Sequence, residues 1–307
     1  MKDMIIIGAG PGGLTAAIYG MRAGLDLLVI EKYSPGGQVV NTYEVENYPG
    51  FVDPIPGWEL VSAMENQARR LNAEIVSAEV ASISKNSTDN SFTVTMADGA
   101  IQQSKTVIIA SGASYRNLNV PGEKEYLGRG VSYCATCDGA FYKDRVTAVV
   151  GGGDTALEEA LFLTKFSKKV YLVHRRDQFR GQKILQDRVL GSDKIEPVYS
   201  SVVTSINGET GVQSFTAKNV KTEEEKTITV DGVFIFIGFI PNTEFMDTSL
   251  LNEQGEVLVN MEMATSIPGM YAIGDVRAHS KRQIVMACAD GATAVLNAYE
   301  YLQQLYC

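Results

Sequence analysis

The chain of 307 residues holds only four cysteines and two histidines, and its 36 acidic side chains outnumber its 27 Lys and Arg, for a net charge of −9. Four cysteines are too few for a secreted disulfide scaffold. An acidic chain lacks the clustered cations that bind nucleic acid or anionic membranes. The longest apolar run, residues 233–240, is interrupted by Gly238 and falls far short of the ~20 residues that span a bilayer. Three isoleucines lead directly into a glycine turn near the N-terminus, so we expect no signal peptide.

Short apolar runs alternate with helical patterns along the chain. The runs at 4–7 and 27–30 flank a helical stretch at 12–23, and those at 146–150 and 170–173 flank another at 155–166. Near-continuous apolar strands separated by helices are typical of parallel sheets that are covered on both faces. At 45% hydrophobic and 21% charged residues, the composition fits a globular chain long enough for two domains.

Each of the two blocks carries a glycine-rich turn between its first strand and its helix. The first turn reads Gly8-x-Gly10-x-x-Gly13, and Glu31 follows at the end of the second strand. In such a turn the first glycine permits the tight bend, the second lets a diphosphate approach the backbone, and the third lets the helix pack on the strand. The terminal carboxylate can accept hydrogen bonds from ribose hydroxyls. We therefore predict a dinucleotide site here.

The second block repeats this design with one chemical change. Gly151-x-Gly153-x-x-Ala156 is followed, at the same interval, by His174 instead of an acid, and Arg175, Arg176 and Arg180 come next. A carboxylate would repel a 2′-phosphate, whereas guanidiniums bind it bidentately. The sequence thus predicts an α/β fold with two Rossmann-like dinucleotide-binding domains, the second of which prefers NADPH to NADH.

Two segments rich in Gly, Pro and Asn, at 112–117 and 238–243, bracket the second block. We interpret them as hinges, so that the second domain is inserted into the first. The expected boundaries are 1–113 with 245–307 for one domain, 117–241 for the other, and 114–116 with 242–244 for the hinges.

A third feature follows both blocks: an apolar strand that ends in Gly274-Asp275, then Arg282-Gln283 ahead of a helix over 284–302. A carboxylate at this turn can reach a ribityl hydroxyl. Two different dinucleotide sites in one chain indicate a flavin in one and its electron donor in the other.

The pair Cys134 and Cys137 is redox-active, half of a zinc site, or incidental. Structural zinc usually takes four ligands in two close pairs, and the remaining His and Cys residues are isolated. A CxxC at a helix start lowers a thiol pKa and makes a reducible disulfide. Asp138 follows directly and is a candidate general acid for the departing thiolate. Cys288 is expected to be a buried small hydrophobe, and Cys307 to be incidental.

Together these motifs resemble those of the low-molecular-weight bacterial thioredoxin reductases over essentially the whole chain. The resemblance is carried by Gly8–Gly13, Gly36-Gly37-Gln38, Glu44-Val-Glu-Asn47-Tyr-Pro-Gly50, Cys134-Ala-Thr-Cys137-Asp138, Gly151-Gly-Gly-Asp-Thr-Ala156, His174-Arg-Arg-x-x-Phe-Arg180 and Gly274-Asp-Val. It implies an FAD domain built from both chain ends, an inserted NADPH domain that swivels about the hinges, and a homodimer.

The resemblance also implies residue roles. Electrons pass from NADPH to FAD, then to a Cys134–Cys137 disulfide, with Cys137 nearer the flavin and Cys134 attacking thioredoxin. The residues expected at FAD are Gly8, Gly10, Pro11, Gly12, Gly13, Glu31, Lys32, Gly36, Gly37, Gln38, Asn47, Val80, Gly112, Gly274, Asp275, Arg282, Gln283 and Ile284. Those expected at NADPH are Gly151, Gly153, Asp154, Thr155, Ala156, His174, Arg175, Arg176 and Arg180.

Other functions stay open at this point. One alternative is a related flavoprotein that reduces a peroxiredoxin or a glutaredoxin-like protein. Peroxiredoxin reductases of this build generally carry an additional N-terminal disulfide domain, which we do not expect here because the first strand already begins at Met4. A ferredoxin–NADP reductase of similar fold would lack the CxxC, and a nucleotide-sensing Rossmann protein would need neither the CxxC nor a second cofactor. We expect a cytoplasmic enzyme without a metal centre.

Overall fold

The computed structural model describes residues 1–42, 45 and 47–305, without the side chains of Asn41, Thr136 and Cys137. Glu44 and Glu46 of the motif noted above, and Cys307, lie outside the described residues. The chain divides into two compact units. Unit 1 is Met1–Ser114 with Ile240–Cys307, and unit 2 is Tyr115–Phe239.

Seventeen strands and six α-helices occur in the described part of the chain. The strands are β1 (Lys2–Ile7), β2 (Leu27–Glu31), β3 (Glu74–Ser77), β4 (Val80–Lys85), β5 (Phe92–Met96), β6 (Ile101–Ile109), β7 (Ala113–Tyr115), β8 (Val131–Ser132), β9 (Val146–Gly151), β10 (Lys169–Val173), β11 (Ile195–Val198), β12 (Ser201–Gly208), β13 (Val212–Asn219), β14 (Glu225–Thr229), β15 (Gly232–Phe236), β16 (Phe239–Pro241) and β17 (Met270–Ala272). The helices are α1 (Pro11–Arg22), α2 (Gly57–Arg70), α3 (Ala135–Asp138), α4 (Asp154–Leu163), α5 (Lys183–Leu190) and α6 (Ile284–Gln304).

Unit 1 is built on a sheet ordered β3-β2-β1-β6-β5-β4, with β17 also pairing with β6. β1 is parallel to β2 and β6, and β4, β5 and β6 are antiparallel neighbours. Side chains alternate across a strand, so Met4 and Ile6 face one apolar cluster while Ile5 and Ile7 face the other. All four are buried, which explains why β1 reads as a continuous apolar run.

Unit 2 repeats the parallel arrangement in a sheet ordered β11-β10-β9-β15-β8. Val149 and Leu172 join one cluster with α4, and Ala148 and Val173 join a second cluster with the separate antiparallel sheet β12-β13-β14. The expected α/β fold with two Rossmann-like domains is confirmed, and in unit 1 the antiparallel strands β4 and β5 extend the parallel part of the sheet.

The chain passes from one unit to the other in β7 and returns in β16, and these two strands pair as a small sheet. Asn242 joins the two segments: its N–H donates to the Gly112 carbonyl at 3.0 Å, and its side chain bonds the Ser111 carbonyl at 2.8 Å. The second boundary between the units precedes the predicted hinge 242–244. No helix in the described residues is both long and apolar enough to cross a membrane.

Candidate functional site

The first glycine turn lies between β1 and α1. Gly8 has φ +106°, and a Cβ there would overlap the carbonyl of Ala110, the residue after β6. A Cβ at Gly13 would overlap the Gly8 carbonyl. Gly10 differs, because its Cβ would meet nothing nearer than Gly37 Cα at 4.0 Å. Gly8 and Gly13 thus serve packing, and the open face of Gly10 leaves room for a ligand to approach the backbone.

Gly10 is also the N-cap of α1, and no side chain caps the helix there. Pro11 occupies the first turn, where its missing N–H costs nothing. The first N–H groups of the helix are therefore available to an anion, as in dinucleotide sites where a diphosphate lies at a helix N-terminus.

Glu31 ends β2 with its carboxylate turned toward this loop. Its Oε2 accepts the Ala9 N–H at 2.7 Å, and its Oε1 accepts the Tyr33 N–H at 3.0 Å. Each oxygen keeps a second lone pair, so the carboxylate is fixed in direction and can still accept a ribose hydroxyl.

Further predicted flavin residues converge on the same loop. Gly36 and Gly37 both have positive φ, and the Gly36 N–H donates to the Ala9 carbonyl at 2.8 Å. Gln38 Nε2 lies 3.4 Å from the Ala113 carbonyl. Two glycine-rich turns therefore lie side by side in unit 1.

Asn47 and Gln283 are far apart in sequence but adjacent in the structure. Asn47 Nδ2 donates to Gln283 Oε1 at 3.0 Å, and Gln283 is the N-cap of α6. Both side chains are exposed, so their remaining donors and acceptors are accessible.

The Gly274-Asp275 turn follows β17 and is held by two residues that the sequence analysis missed. Asp290 on α6 accepts the Gly274 N–H at 3.0 Å, and Arg277 binds Asp290 through two nitrogens, at 2.6 and 2.9 Å. Burial raises the pKa of the Asp275 carboxyl, and the charge of Arg282 opposes that rise. The turn is a rigid, largely desolvated support for one carboxylate.

Other predicted flavin residues have partners within the protein. Lys32 forms an ion pair with Glu79 at 2.7 Å, and Arg282 forms one with Glu256 at 3.1 Å. Val80 lies in the apolar cluster beneath the sheet.

The second glycine turn repeats the division of roles found in the first. A Cβ at Gly151 would overlap the Phe236 carbonyl and would lie 2.6 Å from Ala156 Cβ, whereas a Cβ at Gly153 would meet no atom within 4 Å. Gly153 caps α4 without a side-chain cap. The open middle glycine and the free helix N-terminus fit a second dinucleotide.

Arg175, Arg176 and Arg180 are exposed, and none forms an ion pair with the described residues. The nearby carboxylate of Asp177 is paired with Lys221 at 2.9 Å. Three guanidiniums therefore remain available to an anion.

His174, by contrast, is only 4% exposed and lies beneath the glycine turn, where a Cβ at Gly152 would overlap its ring. Burial lowers its pKa, and the charges of the neighbouring arginines lower it further. The imidazole is neutral at pH 7.

Among the described side chains, two buried polar atoms have no hydrogen-bond partner: His174 Nε2 and Glu159 Oε2. Both belong to the second βαβ block, and buried polar atoms without a partner are rare in folded proteins, which is consistent with a ligand site in this block. Glu159 was missed by the sequence analysis, although it lies one helical turn after Ala156. Burial raises the pKa of Glu159 to about 7.

Cys134 is disulfide-bonded and directly precedes α3. Its N–H donates to Ser132 Oγ at 3.0 Å, and its carbonyl accepts the Asp138 N–H at 3.2 Å. The Cys137 side chain lies outside the described part, so the pairing with Cys134 stays a prediction. Asp138 lines an open cleft of about 630 Å³ together with Phe141 and Arg145.

Cys288 is half-buried, not fully buried as expected, and is a free thiol. Its Sγ lies 3.8 Å from both the Tyr48 hydroxyl and the Pro11 carbonyl, beside the first glycine turn. No cluster of three or more His, Cys, Asp or Glu side chains able to hold a metal occurs in the described residues.

Comparison with known proteins agrees with this arrangement. The family model described as pyridine nucleotide-disulphide oxidoreductase matches residues 2–291. The chain is 46% identical to a thioredoxin reductase of Listeria monocytogenes over 99% of this chain and 94% of that protein, and 44% identical to one of Bacillus subtilis over 99% and 95%. The crystal structure of Lactococcus lactis thioredoxin reductase matches with a TM-score of 0.90 and 42% identity, over 99% of this chain and 100% of the other.

The full-length match confirms the resemblance drawn from the motifs and the expected dependence on FAD and NADPH. It also removes the ferredoxin–NADP reductase and nucleotide-sensing alternatives. The chain belongs to the pyridine nucleotide-disulphide oxidoreductase family and, within it, to the thioredoxin reductases.

Proposed function

We propose that this chain reduces thioredoxin with electrons from NADPH, and that the disulfide at Cys134 is the group that hands them over. The observation that carries the proposal is a disulfide-bonded Cys134 in the same unit as a glycine turn with three unpaired guanidiniums. The proposed NADPH site and the redox disulfide thereby share one inserted unit.

FAD is assigned to unit 1, the unit whose domain the sequence predicts at 1–113 and 245–307. The open face of Gly10, the uncapped start of α1 and the oriented Glu31 carboxylate suit the diphosphate and ribose. Asp275 and the Asn47–Gln283 pair are assigned to the rest of the flavin. When bound there, FAD would supply the two-electron chemistry that connects NADPH with the disulfide.

NADPH is assigned to unit 2, the unit whose domain the sequence predicts at 117–241. The N–H groups at the start of α4 would bind the diphosphate, and Arg175, Arg176 and Arg180 would bind the 2′-phosphate. His174 supports the turn from below as a neutral group. A positive imidazole is not needed, because the arginines supply the charge.

The cysteines carry the disulfide exchange. Reduction of the Cys134–Cys137 bond consumes two electrons and two protons and yields two thiols. The Cys134 thiolate attacks the thioredoxin disulfide, which forms a mixed disulfide and releases one thioredoxin thiolate. Cys137 then attacks Cys134, which re-forms the enzyme disulfide and frees reduced thioredoxin. We assign the protonation of a departing thiolate to Asp138, one residue on.

A Cys134→Ser variant tests this assignment. We expect it to lose NADPH-dependent reduction of thioredoxin and to keep NADPH-dependent reduction of ferricyanide, which takes electrons from the flavin directly. Cys288→Ser is the matched control and should leave both activities unchanged. Normal thioredoxin reduction by Cys134→Ser would refute the proposal. Parallel assays of the unsubstituted enzyme with a peroxiredoxin and a glutaredoxin-like protein decide whether another disulfide protein is the better substrate.

We further assign a homodimer and a cytoplasmic location. Val285 and Leu296 lie three helical turns apart on the same face of α6 and are 40% and 55% exposed, and Ala289 between them is exposed as well. A second copy of the chain would bury this uncharged stripe. The cytoplasm is the compartment in which thiols are kept reduced.

A further inference from the structure

Tyr133, the residue before Cys134, is attached to a buried carboxylate. Its hydroxyl donates to Glu123 Oε1 at 2.6 Å, and Glu123 is 2% exposed. Hydrogen bonds to an ionised acceptor are short and about twice as strong as neutral ones. The backbone around Cys134 is therefore restrained by a contact that lies outside the CxxC motif.

Glu123 itself is fixed by other groups. Its carboxylate also accepts the N–H groups of Leu118 and Asn119, at 2.7 and 2.5 Å. The same segment is anchored to β12, since the Ile206 N–H donates to the Pro121 carbonyl at 2.9 Å. The carboxylate that accepts the Tyr133 hydroxyl thus belongs to a segment of unit 2 that hydrogen bonds hold in place.

The ring of Tyr133 is held as firmly as its hydroxyl. It stacks on Tyr115, with centroids 5.7 Å apart and an interplanar angle of 21°, and Tyr115 in turn lies 5.5 Å from Phe239. Tyr115 belongs to β7 and Phe239 to β16. Tyr133 consequently links the redox segment to both strands in which the chain enters and leaves unit 2.

We propose that Glu123 and Tyr133 are positioning residues that hold the Cys134 thiol close to its partner and so favour the disulfide form. Closing a disulfide depends on the effective concentration of the two thiols, which falls when one backbone is free to move. Without the Tyr133–Glu123 bond, the open dithiol gains freedom and the disulfide becomes easier to reduce. The inference rests on the proposed role of Cys134 in disulfide exchange.

The test is the redox midpoint of the Cys134 disulfide in Tyr133→Phe holoenzyme, in buffers of defined reduced to oxidised dithiothreitol. Thiol alkylation and mass spectrometry report the reduced fraction at Cys134. We expect the disulfide–dithiol equilibrium to shift about tenfold toward the dithiol, which is about 30 mV for a two-electron couple. Ferricyanide reduction by NADPH should be unchanged.

Tyr126→Phe is the matched control, because the Tyr126 hydroxyl is also bonded in unit 2, to the Gly208 carbonyl at 2.6 Å, and removing it leaves the Tyr133–Glu123 bond in place. It should leave the midpoint unaltered. Glu123→Gln, which keeps the shape and weakens the bond, should shift the midpoint in the same direction and covers the case in which Tyr133→Phe does not fold. An unaltered midpoint in the folded variants, or an equal shift in Tyr126→Phe, would overturn the inference. The measurement needs no thioredoxin, so it is separate from a failure of the proposed function.

Discussion

Arg277 donates to the Asp290 carboxylate through Nε and one terminal nitrogen, and the same carboxylate accepts the Gly274 N–H. Both side chains are nearly excluded from solvent. Breaking a buried ion pair from one side leaves an uncompensated charge and costs about 3–5 kcal/mol. The pair therefore ties α6 to the turn that carries Asp275.

We predict that Asp290→Asn lowers both thermal stability and FAD affinity, since Arg277 loses its counter-charge and the Gly274 turn loses its acceptor. A loss of about 3 kcal/mol in the free energy of unfolding is expected. Chemical denaturation and fluorescence titration of the apoprotein with FAD measure the two effects. Glu256→Gln, which breaks the more exposed pair with Arg282, is the control and should change stability by less than about 1 kcal/mol. Unchanged FAD affinity in Asp290→Asn would contradict this role.

The double variant Arg175→Ala/Arg176→Ala should lose its preference for NADPH over NADH. Hydrogen bonds to charged groups contribute about 1.5–3 kcal/mol each, so kcat/KM for NADPH should fall about 100-fold while that for NADH changes little. Steady-state kinetics with both nucleotides provide the measurement. Arg188→Ala removes an exposed arginine from α5 and should leave the preference intact. Full discrimination against NADH in the double variant would show that the 2′-phosphate binds elsewhere.

Glu159 should make stability depend on pH. Because burial raises its pKa to about 7 in the folded protein, above the ordinary value, folding favours the protonated form. Its contribution is fully present at pH 4 and is lost as the pH rises to about 7. Glu159→Gln should therefore match the unsubstituted protein near pH 4 and exceed its stability by about 3 kcal/mol at pH 8. Urea unfolding at pH 4 and pH 8 measures the free energy of unfolding of each protein, and Glu209→Gln, at an exposed position, is the control. If Glu159→Gln differs from the unsubstituted protein by the same amount at both pH values, the titration of Glu159 is ruled out.

Leu296→Glu should dissociate the proposed dimer, because it puts a charge in the apolar stripe of α6. Sedimentation velocity at micromolar protein should show a monomer. Leu190→Glu is a close control, since Leu190 is 54% exposed against 55% for Leu296 but lies on α5 of the other unit. A dimer that survives Leu296→Glu would place the interface on another surface.

Most secondary structure followed from local patterns. The expected helix 284–302 is observed as Ile284–Gln304, and the expected strand 4–7 as Lys2–Ile7. These elements combine continuous apolar runs or helical periodicity with glycine turns at their ends, which are local signals. The parallel sheets follow from the same runs, because only strands covered on both faces are apolar throughout.

The supporting contacts were not predictable in this way. Arg277 and Asp290 each look like a solvated charge in the sequence, and their pairing depends on how α6 folds back over the turn after β17. Glu123 resembles any acid in a Pro-Gly loop, yet it is buried.

The pairing of β7 with β16 has a consequence for how such a chain could be assembled or dissected. Because the inserted unit begins and ends on neighbouring strands, its two termini are adjacent, and the gap left in unit 1 is short. The gene segment for residues 115–239 could thus be excised, exchanged or duplicated as a unit. A short linker from Ser114 to Ile240 would then rejoin the two parts of unit 1. The two-unit architecture can therefore be divided at a single place, the paired strands β7 and β16.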